Sequence, residues 1–98
     1  MTKVLVVDDD KEILEVVSII LKLNNCDVVC LDTADSVLEN LQILQPNIVL
    51  LNGHIQGVDG RIVCKEIKET GLYLKTTFIL FTADHQHATD AKKYLFDD

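Results

Sequence analysis

Lys3-Val4-Leu5-Val6-Val7-Asp8-Asp9-Asp10 carries a run of branched apolar residues that ends abruptly in three carboxylates. Four consecutive apolar residues with no polar alternation predict a strand buried on both faces, as in a parallel sheet covered by helices. A second stretch has the same design: Ile48-Val49-Leu50-Leu51 runs straight into Asn52. Two such strands, each delivering a polar group at its carboxyl end, set the frame for the rest of the chain.

After the acidic run, Ile13, Leu14, Val16, Val17, Ile20, Leu21 and Leu23 fit a helix with an unusually wide apolar stripe. The aspartates before it suit the positive end of the helix dipole, and Asn24-Asn25 suits its end. Cys26 to Leu31 reads as a strand. Asp32 or Thr33 can cap a second helix whose Val37, Leu38, Leu41 and Leu44 repeat at three and four, and Gln45-Pro46-Asn47 breaks it. Asn52 to Gly60 reads as a loop with glycines at 53, 57 and 60. Ile62, Val63, Cys64 and Ile67 mark a third helix stopping near Gly71. Thr77 to Thr82 reads as a fourth strand, and Asp84 to about Phe96 as a weaker helix. The βαβαβαβα order implies an α/β fold, a parallel sheet joined by right-handed crossovers. Sites in such sheets lie beyond the carboxyl ends of the strands.

With 98 residues, 48% of them hydrophobic, the chain makes one domain with ample core material and is not disordered. Its net charge of −7 argues against nucleic-acid binding through a basic surface and favours a protein partner or a cation. The apolar runs are too short for a membrane span, so a soluble, cytoplasmic protein is expected. Cys26, Cys30 and Cys64 lack a zinc-site spacing and read as reduced thiols packed as small hydrophobes, with a Cys26/Cys30 redox pair as the alternative.

Asp8 and Asp9 leave the first strand and Asn52 leaves the third, which should be its neighbour. Oxygen groups converging there suit a hard cation such as Mg²⁺. Thr82, ending the fourth strand, could hydrogen-bond a group bound at that place. The plainer reading is that Asp8 to Asp10 are loop and N-cap residues at a helix start. The apolar strands feeding straight into the polar residues favour the site.

In Val4-Leu5-Val6-Val7-Asp8-Asp9-Asp10, Ile48-Val49-Leu50-Leu51-Asn52, Gly57-Val58-Asp59-Gly60 and Phe81-Thr82-Ala83, the chain resembles the receiver domain of two-component response regulators. The order and spacing match along almost the whole chain. The resemblance implies a flavodoxin-like doubly wound sheet of strand order 2-1-3-4 over residues 1–98. It implies Mg²⁺ at Asp8 and Asp9, with Asn52 and the main-chain carbonyl of His54 completing the metal site. It places the phospho-acceptor position at Asn52 and the switch hydroxyl at Thr82. The implied partner is a histidine kinase or an output protein.

Departures from the family are as informative. Asn52 has an amide where the family has a nucleophilic carboxylate, so no acyl phosphate can form, and one negative charge fewer weakens cation binding. Against the family pattern the chain stops before the fifth strand, its lysine and the fifth helix, which makes it a truncated pseudo-receiver. Lys92 and Lys93 come too early to be that lysine. The Phe78–Phe81 strand is then an edge and the first helix keeps part of its stripe uncovered, so self-association through one of them is expected. Gln56 stands where the family usually has proline, His54 and Ile55 replace methionines, and Arg61 replaces an apolar residue and snorkels to solvent. His85-Gln86-His87 is a weak metal signal on the output side.

The resulting expectation is a signalling module acting by protein–protein interaction, not an enzyme and not phosphorylatable at Asn52. The alternative is a Mg²⁺-dependent phosphohydrolase of the haloacid-dehalogenase type using Asp8 and Asp10, which have the required spacing.

Overall fold

A computed structural model describes residues 1–81. Thr82, the expected helix from Asp84, the His85-Gln86-His87 motif, Lys92 and Lys93 lie outside the described residues. The elements are β1 (Thr2–Val7), α1 (Lys11–Leu23), β2 (Cys26–Leu31), α2 (Val37–Leu44), β3 (Ile48–Asn52), β4 (His54–Ile55), β5 (Val58–Asp59), α3 (Gly60–Glu69) and β6 (Thr77–Phe81). The main sheet has the order β2-β1-β3-β6, every neighbouring pair parallel, which is the expected 2-1-3-4 arrangement with β6 as its fourth strand.

Val4 to Val7 are all buried, because β1 sits between two neighbours with helices on both faces. Alternation along the strand still decides which helix each residue meets. Leu5 and Val7 join Val49, Leu51 and Phe78 against Val37 and Leu41 of α2 and Cys64 and Ile67 of α3. Val4 and Val6 join Leu14 of α1, with Val17, Leu21 and Val28 packed alongside. The core is thus two apolar layers separated by the sheet.

Helix boundaries follow their caps. Asp10 is the N-cap of α1, its carboxylate accepting from the Glu12 and Ile13 amides. Asn24 and Asn25 close that helix as expected, Asn25 with φ 62°. The expectation of Asp32 or Thr33 as the cap of α2 is corrected: the helix starts at Val37, after Ser36, whose side chain makes no capping bond. Gln45 ends α2 in the left-handed region, and Pro46 follows. At the amino end of the sheet Asn47 bridges strands: its Oδ1 accepts from the Lys3 amide at 2.8 Å, and its own amide donates to the Lys3 carbonyl at 2.9 Å.

The stretch expected to be a plain loop contains a hairpin. β4 and β5 are antiparallel, with Ile55 opposite Val58 across the two-residue turn Gln56-Gly57. Both turn residues have positive φ (49° and 80°), the requirement of a type I′ turn. The hairpin places Ile55 fully in the core, which pulls the loop down onto the sheet end.

Two side-chain expectations are also corrected. Arg61 does not snorkel; it folds back on Asp59, with a 2.9 Å ion pair, while Asp59 caps α3 through the Arg61 amide. Cys64 is packed in the core and Cys26 half-buried, but Cys30 is exposed, so the three free thiols do not share one environment. Cys26 and Cys30 lie four residues apart on β2, roughly 13 Å at strand rise, too far for a disulfide.

Candidate functional site at the carboxyl ends of β1 and β3

Parallel register brings the polar strand ends together. Val7 pairs with Leu51, so the next residues, Asp8 and Asn52, leave adjacent strands at the same level. The Asp8 amide continues the ladder by donating to the Leu31 carbonyl at 3.0 Å, which fixes the residue although the strand has ended.

The Asp8 side chain is fully buried. One oxygen accepts from the Asp10 amide at 2.9 Å. The other, Oδ2, is buried with no hydrogen-bond partner. A buried carboxylate oxygen of this kind costs free energy unless something positive meets it, so the arrangement fits a cation ligand. Asp9 is exposed and its Oδ2 accepts from the Gln56 amide at 2.8 Å, so the hairpin turn leans on the acidic pair. Asn52 is half-buried, and its Oδ1 accepts from the His54 amide at 3.0 Å. That bond holds the side-chain oxygen at the end of β3. Among the described residues no group of three or more His, Cys, Asp or Glu side chains forms a metal cluster. The polar side chains at these two strand ends are two carboxylates and one amide, oxygen donors of the type that Mg²⁺ takes.

Asp10, third in the acidic run, is not part of this group. Its carboxylate is taken up by the α1 cap, so the plainer reading of the cluster holds for Asp10.

Two contributors are not evident from sequence patterns. Gly60 opens α3 with its amide donating to the Gly53 carbonyl at 2.9 Å, and a Cβ at this position would run into the Asn52 carbonyl oxygen. The helix start is therefore pressed directly on the Asn52-Gly53 backbone. The Gly60 spacing is visible in the sequence; the close approach is not. Gln56 contributes through its main-chain amide, which a reading of side-chain chemistry does not register.

The description "response regulator receiver domain" is that of the family model matching residues 4–97. The chain belongs to this family. Among proteins of known structure, NtrX from Brucella abortus is 26% identical, with a TM-score of 0.87. The match covers 100% of this chain but 22% of NtrX. The BeF₃-activated N-terminal receiver domain of RstA from Klebsiella pneumoniae is 23% identical, with a TM-score of 0.83, covering 99% of this chain and 82% of that one. A two-component response regulator from Clostridium difficile is 17% identical, with a TM-score of 0.85, covering 100% and 80%. At these low identities the last two show the shared fold. The receiver assignment, with Asp10 committed to a helix cap, leaves the phosphohydrolase alternative without support.

Proposed function

We propose that this receiver works in two-component signalling as a protein-interaction module that does not accept a phosphoryl group at residue 52. The observation that carries the reading is the Asn52 side chain at the end of β3, held by the His54 amide at the level of Asp8. Acyl-phosphate formation requires an anionic carboxylate oxygen to attack phosphorus while the donor leaves as its own anion. A carboxamide has no such oxygen, so the acceptor role is vacant.

Asp8 and Asp9, with Asn52 and the His54 carbonyl, would hold Mg²⁺; the orphaned Asp8 Oδ2 supports this set. The cation would offset the charge of the acidic pair and attract anionic oxygens at the strand ends. Asn52 brings no charge, which lowers affinity. Thr82 is proposed as the switch hydroxyl following β6. Residues 1–98 act as one receiver unit without catalysis of its own, in the cytoplasm, with a histidine kinase or an output protein as partner and further copies of itself through α1 or the β6 edge. No helix among the described residues is long and apolar enough to cross a membrane, and a net charge of −7 disfavours nucleic acid.

The test pairs the native chain with Asn52→Asp, each treated with a small acyl-phosphate donor with and without Mg²⁺, and reads phosphate incorporation by intact mass. The native chain stays unlabelled. Asn52→Asp gains one phosphate in a Mg²⁺-dependent manner. Labelling of the native chain at residue 52 overturns the reading.

A further inference from the structure

Of the five asparagines, at positions 24, 25, 40, 47 and 52, only Asn52 precedes a glycine. In that dipeptide the main-chain nitrogen of the second residue attacks the side-chain carbonyl of the first most readily, because glycine puts no Cβ in the way and lets the peptide turn. The attack closes a five-membered succinimide, which water reopens. The local structure assists the first step. Asn52 is the last residue of β3, and Gly53 lies between strands. The Asn52 Oδ1 accepts from the His54 amide at 3.0 Å, which folds the side chain round Gly53 and draws electron density from Cγ. The same amide is aimed at the oxygen that turns negative when the Gly53 nitrogen adds to Cγ, so it stabilises the tetrahedral intermediate.

The fold discriminates at the second step. Water entering at Cγ gives aspartate and leaves the main chain unchanged. Water entering at the main-chain carbonyl gives isoaspartate, whose backbone runs through the side-chain methylene. Gly60 packs on that carbonyl: a Cβ built there would run into the Asn52 carbonyl oxygen and lie 3.0 Å from its carbon. The start of α3 therefore closes this flank, and the Gly60 amide holds the Gly53 carbonyl at 2.9 Å. A longer backbone would also disturb the five β3–β6 pairs that run from Ile48–Thr77 to Asn52–Phe81. Cγ belongs instead to a half-buried side chain at the level of Asp8. Gly53 itself is buried, which limits the access of base to its amide and slows the first step relative to an unfolded chain.

We propose that Asn52-Gly53 is a self-modifying site at which the folded chain converts Asn52 into aspartate in preference to isoaspartate, with water as the only co-reactant. Solvent base takes the Gly53 amide proton, the nitrogen bonds to Cγ, and the bond from Cγ to the side-chain nitrogen breaks as ammonia leaves with a proton from water. Water then adds to Cγ, the bond from Cγ to the Gly53 nitrogen breaks, and that nitrogen regains a proton. The net change is carboxamide plus water to carboxylate plus ammonium. Residue 52 gains the anionic oxygen that the encoded side chain lacks, and the added charge beside Asp8 and Asp9 strengthens cation binding. The inference rests on the reading above that residue 52 as encoded takes no phosphate, and it deepens that reading by making the state of the site depend on the age of the chain.

Fresh protein is incubated in mildly alkaline buffer, folded in one arm and in urea in the other, with far-UV circular dichroism confirming each state. Intact mass and peptide mapping follow the amide-to-acid mass gain, and labelling by an isoaspartate-specific methyltransferase separates the two products. In the folded arm the gain falls at residue 52 and not at Asn24, Asn25, Asn40 or Asn47, is slower than in urea, and yields aspartate in excess. In urea isoaspartate predominates, the ordinary outcome when both carbonyls are open to water, so the product ratio inverts between the arms. A folded chain that keeps its Asn52 amide when the urea arm has fully converted overturns the proposal, as does an excess of isoaspartate in the folded arm. The acyl-phosphate donor is applied to the same time points. Phosphate on chains that still carry the Asn52 amide overturns the earlier reading alone, whereas an unconverted folded chain overturns this one alone.

Discussion

Asp8 concentrates the conflict on which the site is built. Its Oδ1 is satisfied by the Asp10 amide, while Oδ2 is buried with no partner, next in sequence to another carboxylate. Asp8→Asn keeps an oxygen for the Asp10 amide and removes the buried charge. In chelator-containing buffer the variant is expected to be more stable than the native chain by about 1 kcal/mol, the scale on which burying an unpaired polar group registers in mutational data. Mg²⁺ should then raise the urea midpoint of the native chain and leave the variant nearly unmoved, because a cation stabilises the state that binds it. Equal shifts for both proteins would show that Asp8 does not hold the ion. The same residue-scale logic explains what sequence can reveal. Asp8, Asp9 and Asn52 are legible because each follows or ends an apolar run, and residue type plus position suffice. That Asp10 serves the helix is only half legible, since the same three letters fit a cap and a ligand equally well.

At the scale of elements, the β4–β5 hairpin and the start of α3 form one unit around Asn52-Gly53. Gly60 is required there because its Cα lies against the Asn52 carbonyl, leaving no room for a side chain. Gly60→Ala forces either the helix or the end of β3 to move and should cost about 2–3 kcal/mol, the upper range for overpacking. Urea unfolding measures the loss, and faster exchange of the His54 and Gln56 amides locates it at the site; an alanine accepted without either effect would refute the close approach. The hairpin escapes sequence patterns because Gln56-Gly57 is not a customary turn pair. Positive φ at glutamine is sustained here by the tertiary contact of its amide with Asp9. The start of α2 is displaced for a related reason. Asp32 and Thr33 have good capping side chains, but the chain bends through residues 32–36 and the helix waits for buried Val37. Packing decides both cases where local propensity points elsewhere.

For the molecule as a whole, the sheet order is readable from the alternation of buried strands and amphipathic helices, together with the family resemblance. The assignment of layers is not, because a strand buried on both faces does not announce which residue meets which helix. Phe78 is the largest fully buried side chain among the described residues, and it joins β6 to the layer formed with α2 and α3, with the Lys68 ammonium 5.3 Å from the centre of its ring. Phe78→Ala should lower stability by about 3–5 kcal/mol, a large share of what a domain of this size possesses, and equilibrium urea unfolding would show it. A loss below about 1 kcal/mol would mean that the core closes without this ring. The position of β1 has a consequence for the order of synthesis. The first strand of the domain to leave the ribosome is an inner strand, pairing through Val4–Val7 with residues 28–31 on one side and 48–51 on the other. Until about half of the domain has emerged, its most apolar segment has an open edge facing solvent. That interval, more than the finished fold, is when the chain is exposed to misassembly and chaperone capture.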